Sequence, residues 1–355
     1  MRLREHTSTA AVTAAVLAVG ATAGVLHFAD LEPVAVFVAS GAALAGLAWI
    51  VSIATEAVGA RFGPATTGLL QSTLGNLPEL FVVLFALGAG EVVVARTSIV
   101  GSLLANALLV LGLAIVAGAR TADDGLMRFR RRLPNDTATL LLLAVFIIVL
   151  LGLSDTVGDR ASRHQTQISS IGAVFLLLVY GAWLWSYLRS EGSEAALEEP
   201  AQAVLPFRGA VGLLALGGVG AALVSDWFVD ALDPAVDAIG ISKAFTGLVI
   251  VAIAGNAVEN VAGIVLAAKG KSDLAISVVK NSVAQIAVFL FPALVLMSLF
   301  FEQRLTFVLG PVYIGALVLT AIAVWQITGD GEAVEFEGWA LVALYGIVAV
   351  LTFFE

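Results

Sequence analysis

Apolar runs, mostly about 17 to 27 residues long, follow one another along almost the whole 355-residue chain. A helical run of that length crosses a hydrocarbon core of roughly 30 Å at 1.5 Å per residue. The runs cover residues 8–28, 33–56, 64–87, 92–119, 137–153, 168–188, 209–232, 245–268, 274–300, 305–327 and 339–354. Strands of a membrane barrel are shorter and alternate apolar with polar residues. These runs do not alternate, so they read as helices. A mean hydropathy of +1.01, with only 13% charged residues, excludes a soluble globular core, where roughly a quarter of residues are charged. The expected fold is all-α and integral to the membrane, with about eleven transmembrane helices.

Composition narrows the chemistry further. The chain has no cysteine, which removes disulfides, thiolate metal sites and cysteine nucleophiles together. His6, His27 and His164 lie at or beyond the ends of apolar runs, so no histidine cluster is expected at depth. The net charge of −9 arises mainly from loop carboxylates and describes no nucleic-acid-binding face. An intramembrane enzyme needs a nucleophile or a metal dyad at depth. The runs offer only two strongly placed acids, so neither an enzyme nor a cofactor is expected; a passive channel stays open.

Loop charge sets the orientation. With a cytoplasmic N-terminus, twelve Lys and Arg residues fall inside (Arg2, Arg4, Arg61, Arg120, Arg128, Arg130, Arg131, Arg132, Arg189, Arg208, Lys269 and Lys271). Five fall outside (Arg96, Arg160, Arg163, Lys243 and Arg304), and Lys280 lies within a run. Basic loops favour the cytoplasm, which places the N-terminus inside and the C-terminus outside. A basic start before an apolar stretch also describes a signal peptide. This stretch is long for one and no strong cleavage signal follows, so it reads as a retained helix. Few lysines and short loops suit a prokaryotic plasma membrane.

An internal repeat organises the chain. The run Leu74-Gly75-Asn76-Leu77-Pro78-Glu79 recurs 180 residues later as Ala254-Gly255-Asn256-Ala257-Val258-Glu259. At the same offset Gly90 meets Gly270 and Ser102 meets Ser282. Each copy lies in the second helix of a five-helix block. Five is odd, so the blocks enter the membrane from opposite sides, the inverted-repeat plan of many secondary transporters. The expected organisation is an N-terminal helix (1–31), a first repeat (32–189), an acidic cytoplasmic linker (190–206) and a second repeat (207–355).

Glu79 and Glu259 fall well inside their runs. A carboxylate at that depth is costly unless protonated, hydrated or paired, and is usually functional. Asn76 and Asn256 stand three residues earlier, placing an amide beside a carboxylate on one helix face in each repeat. Gly75 and Gly255 let the helix loosen, and Pro78 removes an amide donor and frees the carbonyl of Leu74. Carbonyls freed at membrane depth line a cavity or meet an ion. Carboxylates, amide oxygens and carbonyls form a hard, all-oxygen set, which fits Ca2+ better than a transition metal. In the following helices Ser98, Ser102 and Asn106 form one stripe, and Asn281, Ser282 and Gln285 another. Such side chains also serve as ordinary interhelical contacts; their position after both acidic motifs favours supporting roles for some.

These residues resemble the calcium/cation antiporter superfamily, specifically its cation/proton exchanger branch. The resemblance runs from about Val51 to Glu355. It rests on Thr55-Glu56, on the run from Gly75 to Leu80, on Gly101-Ser102-Leu103-Leu104-Ala105-Asn106, and on the run from Gly255 to Glu259. It implies that Glu79 and Glu259 bind Ca2+ as transported substrate and exchange it for H+ by alternating access, with an acidic segment joining the halves. Na+/Ca2+ exchange or transport of Mn2+ is the other reading within the superfamily. Two positions depart from the pattern. Asn260 stands where the family usually has His, and Lys280-Asn281-Ser282 stands where Gly-Ser is usual. Lys280 either snorkels to the headgroups or acts as a fixed cation modulating the site. Glu56, near the cytoplasmic end of its run, is a candidate gate or a solvated headgroup-level acid.

Overall fold

The computed structural model describes residues 2–59, 74–130, 132–194 and 206–355. The first half contains α1 (Arg2–Phe28), α2 (Pro33–Gly59), α3 (Leu77–Gly88), α4 (Val92–Thr121), α5 (Arg132–Val157) and α6 (Gln165–Glu194). The second contains α7 (Phe207–Asp230), α8 (Leu232–Ile239), α9 (Lys243–Gly255), α10 (Ala257–Ala268), α11 (Ser272–Phe300), α12 (Pro311–Thr328) and α13 (Glu335–Phe353). Among the described residues nine helices are long and apolar enough to cross a membrane, or ten if α8 and α9, bent by 117°, form one span. The expected run 245–268 is two helices, α9 and α10, because Asn256 leaves helical geometry at φ −107° and ψ 13°. Asn76 does the same before α3, at φ −85° and ψ 7°. Most of the run 64–87 ahead of Leu74 lies outside the described residues.

Other boundaries also move. The expected run 305–327 begins as a helix only at Pro311, where a proline at the first turn spends no needed donor. Residues 301–310 precede it without helix. Ser298 secures this stretch by accepting from the backbone N–H of Leu305 at 2.9 Å. The start of the acidic linker continues α6 as far as Glu194, and 195–205 lie outside the described residues.

Packing follows from the apolar periodicity. α2 lies along α7, α1 covers α2, α12 packs on α5, and the second part of α4 lies between α10 and α13. α4 crosses α9 where two glycines meet backbone. A methyl on Gly101 would lie 2.2 Å from the carbonyl oxygen of Leu248, and one on Gly247 2.1 Å from Oγ1 of Thr97. Only glycine permits that approach. Around this core, Phe146, Phe175, Leu178, Leu319, Trp325 and Ile347 are exposed, as suits a molecule whose solvent is lipid.

Among the described residues three helices carry a π turn, at Ala105–Val110 in α4, Thr246–Val251 in α9 and Ile286–Leu290 in α11. Such turns re-aim side chains and often mark functional positions. At one end of the bundle β1 (Leu126–Arg128) pairs antiparallel with β2 (Glu332–Val334). Arg120 pairs with Glu335 at 2.6 Å, Arg128 with Asp124 at 2.7 Å, and the N–H of Arg130 donates to Asp273 at 2.7 Å. The hydrogen bond from Arg128 holds the Asp124 carboxyl below the usual carboxylate range.

Candidate functional site

The two helix breaks bring the repeated motifs together. Glu79 sits in the first turn of α3 and Glu259 in the first turn of α10, so each carboxylate lies beside free N–H groups of a helix N-terminus. The breaks share a cause other than proline: Asn256 interrupts its helix with Val258 where the first motif has Pro78. What the positions have in common is Gly-Asn. A methyl on Gly75 would lie 2.8 Å from Oε1 of Glu259, and one on Gly255 3.5 Å from Cβ of Glu79. Each glycine therefore makes room for the glutamate of the other half.

Glu79 is fully buried and Glu259 half-buried. The amide nitrogen of Asn256 donates to Oε2 of Glu79 at 3.4 Å, to Oγ of Ser102 at 2.9 Å and to the carbonyl of Ala252 at 3.0 Å. Ser102 is also a hydrogen-bond partner of Glu79, and Ser282 donates to Oε2 of Glu259 at 2.5 Å. The amide of Asn256 thus pairs with the carboxylate of the other half, whereas the serine–carboxylate pairing stays within each half. Asn76 is buried beside its own helix break.

Several oxygens in this region have no donor among the described residues: Oε1 of Glu79, and the amide oxygens of Asn106, Asn256, Asn260 and Gln285. Buried acceptors without donors are costly. A hard cation satisfies such a set, and a proton satisfies the carboxylates among it. The residues present fit Ca2+ as cargo: carboxylates and amide oxygens, with no sulfur or imidazole ligand. Asn106 lies in the first half of the π turn of α4, donating to the carbonyl of Ser102 at 3.0 Å. Gln285 precedes the π turn of α11. The second sequence stripe therefore contributes Ser282 directly, while Asn281 turns to Ser277 at 3.5 Å.

One expectation changes. Lys280 does not snorkel: it is 1% exposed, and its Nζ donates to Oγ1 of Thr328 in α12 at 2.6 Å. Among the described residues it makes no ion pair, and it reaches α12 rather than the carboxylates. Leu74 closes the helical turn before Asn76, with Gly75. Glu56 is exposed at the end of α2. Sequence reading missed the cluster in which Lys243 bonds both Glu91 and Asp233, because ion pairs between distant loops leave no local pattern. It also missed the Gly101–Gly247 crossing, whose signal was a glycine inside each of two apolar runs.

Residues 32–188 and 209–354 match the sodium/calcium exchanger protein family. The chain is 29% identical over 352 residues to a Ca(2+)/H(+) antiporter of Synechocystis sp., covering 93% of each chain. It is 34% identical to a vacuolar calcium ion transporter of Schizosaccharomyces pombe, covering 90% of this chain and 79% of that one. Its fold superposes on the solved structure of native YfkE with a TM-score of 0.80 and 28% identity, over 97% of this chain and 99% of that one. With both halves matched and the paired glutamates at the seam between them, the chain belongs to the sodium/calcium exchanger protein family.

Proposed function

We propose that this chain is a secondary antiporter that exchanges Ca2+ for H+ across a prokaryotic plasma membrane. The observation that carries it is the juxtaposition of Glu79 and Glu259 at two helix breaks, among oxygens that lack donors. Ca2+ bound between the glutamates compensates both charges. Protonation neutralises them in its absence, so neither form leaves bare carboxylates in a low-dielectric core. Glu79, Glu259, Asn76 and Asn256 hold the ion; Ser102 and Ser282 orient the carboxylates.

The organisation is an N-terminal helix (1–31), two five-helix inverted repeats (32–189 and 207–355) and a linker between them. The two copies support this by matching in local geometry. α3 and α10 have the same length at an offset of 180, and Gly90 and Gly270 both adopt left-handed backbone at φ +85° and +72°. The N-terminus is cytoplasmic and the C-terminus outside. Pairing of β1 with β2 supports the span plan, since it needs the α4–α5 and α12–α13 loops on one side; the basic-residue count supports that side being the cytoplasm.

The test is Ca2+ uptake into proteoliposomes under an imposed pH gradient, with and without Na+, and with Mn2+ in competition. Uptake driven by the proton gradient alone, and lost in Glu259→Gln, is the expected result. Uptake that requires Na+, or that Glu259→Gln leaves at full rate, overturns the reading.

A further inference from the structure

One charged position reverses sign between the two ends of the molecule. At the end holding the α3–α4 loop, Nζ of Lys243 donates to Oε2 and Oε1 of Glu91 at 2.8 and 3.0 Å and to Oδ2 of Asp233 at 2.8 Å. This cluster bolts the α3–α4 hairpin of the first half to the α8–α9 corner of the second. Moved by 180 residues, Glu91 becomes Lys271. Both precede a helix with nearly the same backbone, φ −80° and ψ 59° against φ −91° and ψ 60°. Asp233 moves to position 53 of α2, and Glu56 stands one helical turn further on. Two carboxylates need a third, cationic residue to join them. A lysine and a glutamate need none.

In this conformation the second set is apart. Glu56 and Lys271 are both exposed, and neither has an ion-pair partner among the described residues. The helices beside the two sets differ in the same sense. Val261 and Val265 of α10 are 60% and 41% exposed, whereas Phe81 and Phe85, their counterparts in α3, are half-buried against α7. Glu259 is half-buried where Glu79 is fully buried. An ion-pair cluster holds the Lys243 end, where α3 and α7 flank a cavity lined by Phe81, Phe85, Asp226 and Asp230, while α10 is the more exposed of the two motif helices and packs beside α2.

We infer that Glu56 and Lys271 are the counterpart latch, pairing to close the cytoplasmic end when Lys243 releases Glu91 and Asp233. This inference rests on the exchanger reading, which requires each end to open in turn. Partly exposed ion pairs suit such a role because they are weak enough to be exchanged within a cycle.

The cysteine-free chain allows a direct test on the full-length protein. Glu56→Cys with Lys271→Cys is oxidised in proteoliposomes, alone and combined with Lys243→Met. The disulfide is expected to form slowly with Lys243 intact. Lys243→Met should raise its rate roughly fivefold, the factor equivalent to about 1 kcal/mol for one such cluster. If Lys243→Met folds poorly, Glu91→Gln serves the same purpose. A rate unchanged by either variant, or no disulfide in any background, overturns the latch. The readout needs no transport, so a chain that fails to carry Ca2+ yet cross-links as expected would defeat the exchanger reading and leave the latch standing.

Discussion

The side-chain amide of Asn256 reaches across the seam between the two halves to Oε2 of Glu79, at 3.4 Å, while also bonding Oγ of Ser102 at 2.9 Å. One residue of the second half therefore orients the carboxylate of the first. A hydrogen bond to a charged group is worth roughly 1.5–3 kcal/mol, so Asn256→Ala is expected to weaken Ca2+ binding about tenfold or more. The half-saturating Ca2+ concentration for uptake checks this; an unchanged value would remove Asn256 from the site.

The motif glycines should not tolerate alanine equally. A methyl on Gly75 would meet the Glu259 carboxylate at 2.8 Å, closer than real contacts allow, while one on Gly255 would meet Glu79 Cβ at an ordinary 3.5 Å. Gly75→Ala is expected to abolish most exchange by displacing Glu259, and Gly255→Ala to retain most of it. Comparing uptake by the two variants at matched protein amounts tests the geometry; equal losses would contradict it.

The helix crossing should be a folding determinant with no ligand role. Gly101→Ala would drive a methyl to 2.2 Å from a backbone oxygen that cannot rotate away. Overpacking typically costs about 1–3 kcal/mol, and this contact belongs at the upper end. A lowered thermal unfolding temperature for Gly101→Ala and Gly247→Ala is expected, with or without Ca2+.

Lys280 should be dispensable for the exchange chemistry. It is buried on Thr328 with no carboxylate beside it among the described residues. Replacing a poorly compensated buried polar group by an apolar one of similar volume is often neutral or stabilising, by about 1–4 kcal/mol. Lys280→Met is expected to keep or raise the unfolding temperature and to preserve uptake. Loss of uptake in a stable Lys280→Met protein would give this lysine a direct part in transport.

In the proposed exchange protons and Ca2+ compete for the same carboxylates, which sets the sign of the pH dependence. A protonated glutamate must lose its proton before it can hold the ion, so raising the pH removes a competitor. The half-saturating Ca2+ concentration should fall as pH rises, by at most about a hundredfold per pH unit if two protons are displaced. Ca2+ titrations of the purified protein between about pH 6 and 8 measure the slope. A flat profile would mean that the proton is not the counter-ion.

The membrane fold and the two buried-motif glutamates were legible in one dimension, because both rest on local chemistry. Apolar runs of bilayer length admit few structures other than helices, and a carboxylate at depth stands out wherever the chain runs. The repeated Gly-Asn-x-x-Glu marked Glu79 and Glu259 as a pair without any knowledge of packing. Local pattern did not reveal which partner each polar group takes. Asn256 bonds Glu79 rather than Glu259, and Lys280 turns to Thr328 rather than to the headgroups. Lys243 joins Glu91 and Asp233 from separate loops, and Gly101 exists to admit the backbone of Leu248. Those choices depend on which helices cross and how closely, and crossings are settled by the packing of surfaces far apart in sequence. The chain alone determined where charge would be costly; the tertiary structure decided what compensates it.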